Sequence, residues 1–255
     1  MLVGAWLVGD IANAAEDRSP PVSPERPDLT YNATMVDVGA LQWEMGFDNA
    51  FPPVPSTRDT LEMPVTLRIG VHRRVELQAI DGELLPWLAR SEGPQRGVAF
   101  AVKVRLNLPP KESKRPRFVL RPHVESKVLG AVFDREAPSL GLFAIMSQPL
   151  GDKVELDLNA GGQVDPNPRP DERADLRGSA SLIVEATSWL HPLVELYVRG
   201  DPTQWREGTF TMNAGLVFVV HPTVAFDLAG RADILANERA YAMLGGVTFV
   251  AARSR

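Results

Sequence analysis

Val98-Ala99-Phe100-Ala101-Val102-Lys103-Val104-Arg105-Leu106-Asn107-Leu108 is the stretch that decides the fold. Large apolar side chains take every second position, opposed by Ala99, Ala101, Lys103, Arg105 and Asn107. A helix would mix the two charges with valines on every face, whereas a pleated strand sends alternate side chains to opposite sides. The period of two predicts a strand with one greasy and one polar face.

The same period extends in both directions. Upstream, Leu41, Trp43, Met45 and Phe47 alternate with Gln42, Glu44, Gly46 and Asp48. Val65, Leu67, Ile69 and Val71 alternate with Thr66, Arg68 and Gly70, and Val75, Leu77 and Ala79 with Glu76 and Gln78. Downstream, Phe118, Leu120 and Val124 oppose Arg121, His123 and Glu125, while Val154, Leu156 and Leu158 oppose Glu155, Asp157 and Asn159. Leu182, Val184 and Ala186 oppose Ser181 and Glu185; Val194, Leu196 and Val198 oppose Glu195, Tyr197 and Arg199. Phe210, Met212, Leu216 and Phe218 oppose Thr211, Asn213 and Gly215, and Val224, Phe226 and Leu228 flank Asp227. Residues 140–148 are apolar on both faces. Residues 240–251 admit either Tyr241, Met243, Val247 and Phe249 or Ala242, Leu244 and Val250 as the apolar side. Together these segments predict about twelve strands. Val-Glu-Leu recurs at 75, 154 and 194, each time opening a strand after a tight turn, so the repeating unit is a hairpin.

Composition narrows the function classes. The 255 residues carry 27 basic and 32 acidic side chains, a net charge of -5, which argues against a nucleic-acid binder. With no cysteine there is no disulfide scaffold, thiolate metal site or cysteine nucleophile. No apolar run reaches the roughly 20 residues of a membrane helix. Strands that dilute each apolar residue with a polar neighbour escape that test, so a membrane barrel stays open.

Alternation alone leaves a soluble sandwich or lipocalin-like barrel possible. Two arguments point the greasy face outward. A closed barrel of about twelve strands has too wide an interior for these valines and leucines to fill, so an apolar lumen would be a large dry void. The connections also alternate in length. Tight ones at 72–74, 149–152, 189–192 and 221–222 follow even-numbered strands; long ones at 49–63, 80–96, 129–139, 163–176, 201–208 and 233–239 follow odd-numbered strands. Short turns on one rim and long loops on the other are the arrangement of outer-membrane barrels. The nine residues 109–117 are the exception. The expected fold is a closed antiparallel up-and-down transmembrane β-barrel, formed by residues 39–255.

The polar face then lines the lumen with Glu44, Arg68, Glu76, Lys103, Arg105, Arg121, His123, Glu125, Glu155, Asp157, Glu185, Glu195, Arg199 and Asp227. So mixed a set of charges makes either a narrow channel or a wall that closes on its own ion pairs. Trp43, Phe47, Phe100, Phe118, Phe210, Phe218, Phe226, Tyr241 and Phe249 are either interfacial girdle residues or ordinary sheet packing.

Residues 1–15 are apolar and end on Ala12-Asn13-Ala14, which fits a signal-peptide cleavage site, but they lack a basic start and Asp10 interrupts them. They read either as the remnant of an export signal or as an ordinary N-terminal segment. Residues 16–38 form an N-terminal segment expected to be extended, and 16–27, with Pro20, Pro21, Pro24 and Pro27 among charges and serines, poorly ordered.

Arg26-Pro27-Asp28-Leu29-Thr30, then Val36, Gly39, Leu41, Glu44, Gly46 and Phe47, resembles the opening of the outer-membrane barrel family named for the MetA pathway of phenol degradation, whose members are described as transporters. Leu67-Arg68-Ile69-Gly70-Val71 and Val75-Glu76-Leu77 resemble that family's first hairpin. The likeness covers the first third of the chain and continues as a rhythm of strands and turns. Barrels of this kind end on an aromatic residue, and here Phe249 is followed by six more residues. The resemblance implies a barrel in the outer membrane of a Gram-negative envelope, passing small solutes, aromatic or other hydrophobic compounds among them.

The expected partners are therefore the outer-membrane lipid bilayer and a small-molecule solute. The alternative is a scaffolding subunit of a motility or transport machine with a closed lumen and envelope protein partners. No enzyme activity, metal or cofactor is expected. His72, His191 and His221 read as turn residues and His123 as a lumen residue, and no catalytic fingerprint is present. The carboxylates of 165–172 read either as a calcium loop or as a solvated loop. Lys111, Lys114, Arg115 and Arg117 either contact lipopolysaccharide or a protein, or are solvated.

Overall fold

Alternation at period two becomes fourteen strands in the computed structural model, which describes residues 22–25, 30–51, 60–81, 96–110, 113–129, 132–133, 138–164, 174–200, 208–234 and 241–251. The strands are β1 (Leu41–Phe51), β2 (Thr60–Glu62), β3 (Val65–His72), β4 (Val75–Asp81), β5 (Arg96–Arg105), β6 (Arg117–Leu129), β7 (Val132–Phe133), β8 (Ser139–Pro149), β9 (Val154–Val164), β10 (Ala174–Val184), β11 (Leu190–Gly200), β12 (Thr209–His221), β13 (Val224–Asp233) and β14 (Tyr241–Ala251). β2 pairs only with β1, and β7 only with β6, so both are short ribbons at the rim. The other twelve pair antiparallel with their neighbours in chain order.

The sheet closes on itself. β1 pairs with β14 in unbroken register from Leu41↔Ala251 to Phe51↔Tyr241. Closure gives each of the twelve wall strands two partners and leaves the wall no edge, the condition for strands to stand in hydrocarbon. The tight connections of the described residues, such as 73–74 and 222–223, all lie at one rim, with bulges beside them at Gly70/His72 and Val219/His221. Residues 106–110 and 113–116 also lie at this rim, with Asn107 donating from Nδ2 to the Pro116 carbonyl (2.7 Å) and accepting from the Phe118 N–H (2.8 Å). Apart from β2, β7 and a few flanking residues, the long connections at the other rim, the calcium-loop candidate 165–172 among them, fall outside the described residues.

Burial runs opposite to that of a water-soluble protein. Leu142, Leu196, Phe226 and Phe249 stand on the outer surface, 51%, 44%, 47% and 43% exposed, while Arg68, Glu76 and Lys103 are fully buried. Both ambiguous segments resolve. In β14, Tyr241, Met243 and Phe249 point outward and Ala242 and Leu244 inward. In β8, Leu140 and Leu142 point outward, while Phe143 and Ile145 are buried inside. Inside, they pack with Val119 of β6 and with Ala33 and Tyr31 of the N-terminal segment.

Candidate functional site

The lumen is occupied by described residues that precede β1, namely 22–25 and 30–36. At the short-turn end Val22 packs on Leu193, Val217 and Ala225. Ser23 and Glu25 then meet β1, β3, β4 and β5. Thr30 reaches across to donate to the carboxylate of Glu195 on β11. Residues 31–36 return along β8, β5 and β3 to the start of β1, with Asn32 donating to the Pro24 carbonyl (3.2 Å) and so tying the two limbs together. Thr30, Asn32, Ala33, Met35 and Val36 are all buried. Proline and charge made 16–27 read as poorly ordered; the described part, 22–25, has its partners on strands far downstream.

The exit from the lumen depends on two glycines. Gly39 takes φ = 80°, a left-handed conformation open to glycine and strained for side chains with a Cβ. It donates to the Gly70 carbonyl (2.7 Å), and Gly70 donates to the Ala40 carbonyl (3.2 Å). A Cβ on Gly70 would lie 2.1 Å from the Asp37 carbonyl oxygen, so only glycine lets the segment lie flat on β3.

The strongest polar cluster surrounds Arg68. Its Nε and Nη2 donate to both oxygens of Glu76 (2.8 and 3.2 Å), and Nη1 donates to Glu44 (3.2 Å). Nη1 also donates to the Ser23 carbonyl (2.8 Å) and Nη2 to the Thr34 carbonyl (3.1 Å), so one guanidinium fastens wall to segment. Glu25 returns the contact. Its carboxylate pairs with Lys103, accepts from Gln78 Nε2 (3.1 Å) and lies 3.7 Å from Arg68, and its N–H donates to Glu44 (3.0 Å). The Val36 N–H donates to Glu76 (2.7 Å), and the Ala33 N–H to the Ser147 hydroxyl (2.7 Å), which donates to Asp157. Buried charges need this density of partners, because desolvating an unpaired ion costs several kcal/mol.

Above this cluster sits an aromatic group. Tyr31 meets Phe143 edge to face (5.6 Å between centroids), His123 stacks on Phe143 (5.5 Å), and the Arg121 guanidinium lies 4.1 Å over the Tyr31 ring. Arg121 Nε donates to Gln78 Oε1 (2.8 Å), which links the aromatic group to the Glu25 site. Nearer the long-loop rim, Asp175 accepts from Arg177 (2.7 Å) and Arg199 (2.9 Å), and Arg231 grips Asp48 with both nitrogens (2.7 and 3.3 Å).

Of the residues expected in the lumen, Glu44, Arg68, Glu76, Lys103, Arg121, His123, Asp157, Glu195 and Asp227 are buried on the inward rows. Arg105, Glu125 and Glu155 are half-buried on the same rows, with Glu155 paired to Arg117. Arg199 is inward but exposed near the rim. Glu185 is a correction: β10 ends at Val184, and Glu185 stands exposed in the following turn, where its N–H donates to the Lys153 carbonyl (2.7 Å). Of the turn histidines, His191 lies inside β11, while His72 and His221 close β3 and β12. Each of the twelve wall strands contributes at least one inward side chain no more than 6% exposed, so a buried belt runs right round the segment. The residues missed from sequence are those of the segment, Glu25, Thr30 and Tyr31 above all, together with Gln78. The available signal was apolar side chains on the inward rows of β8, β11 and β12. Among the described residues no group of three or more His, Asp or Glu side chains is placed to hold a metal ion.

No family model matches the chain, and no curated protein sequence matches it. Solved structures do. An outer membrane channel of the COG4313 group from Pseudomonas putida F1 superposes with a TM-score of 0.56 at 12% identity, covering 90% of this chain and 100% of that one. The NanC porin gives 0.56 at 10% identity over 80% and 98% of the two chains. The KdgM porin, solved in complex with disordered oligogalacturonate, gives 0.54 at 8% identity over 81% and 98%. At these identities the likeness establishes the fold, a closed outer-membrane-type β-barrel, and leaves the link to phenol degradation as a resemblance.

Proposed function

We propose that this protein is an outer-membrane channel for small solutes in a Gram-negative envelope, here in a closed state with residues 22–25 and 30–36 in its lumen. The observation that carries the reading is the inverted wall, with large apolar side chains exposed all round the outside and charged side chains buried inside. An Arg or Lys at the bilayer midplane costs about 2 to 4 kcal/mol, so charges belong on the lumen side of such a wall. The short turns and both ends of the barrel then face the periplasm, and the long loops face outward. The three solved structures compared above are porins and a channel, which is a reason to prefer transport over a scaffolding role.

Small aromatic or hydrophobic compounds are the solute class this reading favours. Phe143 and His123 offer the inner wall a flat apolar surface beside Arg121, and Tyr31 already occupies it with an aromatic ring. The test has two steps. The protein should partition with outer membranes, resist alkaline extraction and migrate differently on a gel before and after boiling. Purified protein in liposomes should then admit small aromatic solutes faster than sugars of similar size. Extraction by alkali, or a barrel impermeable to every solute and polarity, refutes the proposal.

A further inference from the structure

Resting on that reading, we infer that the wall carries a binding site for a small carboxylate solute, formed by Arg68, Lys103 and Gln78 and held shut by the chain's own Glu25. The carboxylate of Glu25 has the surroundings of a bound ligand. It pairs with Lys103, accepts from Gln78 (3.1 Å) and faces Arg68 at 3.7 Å, all on three adjacent strands. The site belongs to the wall; the occupant belongs to the segment.

Charge explains why the site needs an occupant. Among the described residues every hydrogen-bond partner of Lys103 comes from the segment: the Glu25 carboxylate and the carbonyls of Asn32 (2.8 Å) and Thr34 (3.3 Å). Arg68 keeps Glu44 and Glu76 when the segment leaves, but Lys103 keeps none of these three partners. With Arg121 joined through Gln78, the emptied cluster holds three cations; the wall carboxylates Glu44 and Glu76 both bond to Arg68, and Asp157, which also acts on Lys103, is bonded to Ser147 instead. A buried cation without a partner is costly, so an incoming carboxylate gains the place that Glu25 gives up. Solute binding and segment release are thereby coupled, and the channel opens to the class of solute that can replace Glu25.

The absence of native cysteine makes the test clean. Ser23→Cys places one thiol on the segment, at a residue whose carbonyl, rather than its hydroxyl, accepts from Gln42 and Arg68. The full-length protein in liposomes is treated with a maleimide, with benzoate as the probe and benzyl alcohol as its neutral counterpart. Benzoate at about ten times its dissociation constant for the emptied site should raise the labelling rate about tenfold, since a minor released population grows as one plus that ratio. Benzyl alcohol should leave the rate unchanged. Lys103→Met should abolish the response, and Glu25→Gln should label fast without benzoate. Equal effects of benzoate and benzyl alcohol overturn the inference, as does a response that survives Lys103→Met. Should Lys103→Met fail to assemble, Glu25→Gln decides alone: a wild-type rate with a wild-type response overturns it. Labelling does not depend on conduction, so benzoate-driven labelling of a barrel that carries no current supports the site while refuting the channel.

Discussion

Replacing Arg68 with Met tests whether the segment is fastened to the wall by this one guanidinium. Arg68 is fully buried and makes five hydrogen bonds, three to the wall carboxylates Glu44 and Glu76 and two to the segment carbonyls of Ser23 and Thr34. Each charged hydrogen bond is worth about 1.5 to 3 kcal/mol, so the two segment contacts together supply about 3 kcal/mol at the low end. At 1.4 kcal/mol per factor of ten, their loss multiplies the released population roughly a hundredfold. Leaving Glu25, Glu44 and Glu76 without their common cation adds to this, because breaking a buried pair costs about 3 to 5 kcal/mol. Hydrogen exchange reads the result directly. The Ala33 and Val36 amides, protected by Ser147 and Glu76, should exchange roughly a hundredfold faster in Arg68→Met, while the amides of β9 to β12 keep their wild-type rates. Unchanged exchange at Ala33 and Val36 would refute the fastening argument. A uniform rise over the whole wall would show that Arg68 supports the barrel instead.

Three other substitutions probe separate parts of the structure. Leu196→Arg, in the middle of β11 on the outer face, should lower the stability of the vesicle-embedded barrel by about 2 to 4 kcal/mol in urea titration; a neutral result would mean that this face does not meet lipid. Phe143→Ala removes the ring that packs on Ala33 and Tyr31 and should cost about 3 to 5 kcal/mol, and thermal melts matching wild type would show that the segment does not rest on β8. Gly70→Ala forces a Cβ against the Asp37 carbonyl and should speed exchange at Val36, whereas Gly230→Ala, with nothing within 4 Å of the new methyl, should be silent; equal behaviour of the two would contradict the close approach of segment and β3.

The wall was legible because each of its elements obeys a local rule. Period two in 98–108 or 41–48 needs no knowledge of distant residues, and the alternation of short and long connections fixes which rim is which. The filling of the lumen obeys no local rule. Glu25 finds Lys103 across 78 positions and Thr30 finds Glu195 across 165, and a proline-rich charged string carries no periodicity that would announce either partner. Traces of it stood in the sequence as apolar side chains on inward rows, the clearest being the doubly apolar face of 140–148. Phe143 and Ile145 make sense inside a charged lumen only when something apolar lies against them, and that is Ala33 with Tyr31 from the segment, beside Val119 of β6. Glu185 was misplaced because alternation continued past Val184 into the turn, where Thr187 Oγ1 accepts from the Trp189 and Leu190 N–H groups and ends the strand's rhythm.

The seam between β1 and β14 joins the first long strand of the chain to the last, so the ring is completed only when nearly all of the polypeptide is in hand. The segment is continuous with β1 and must already be inside when that last ladder zips, or else thread in afterwards through a finished hoop. Trapping it during closure is the simpler course, and it makes the internal strap a template around which the staves gather. Contacts spanning such lengths of chain carry a heavy loop-closure entropy, and assembly should therefore be slow and all-or-none.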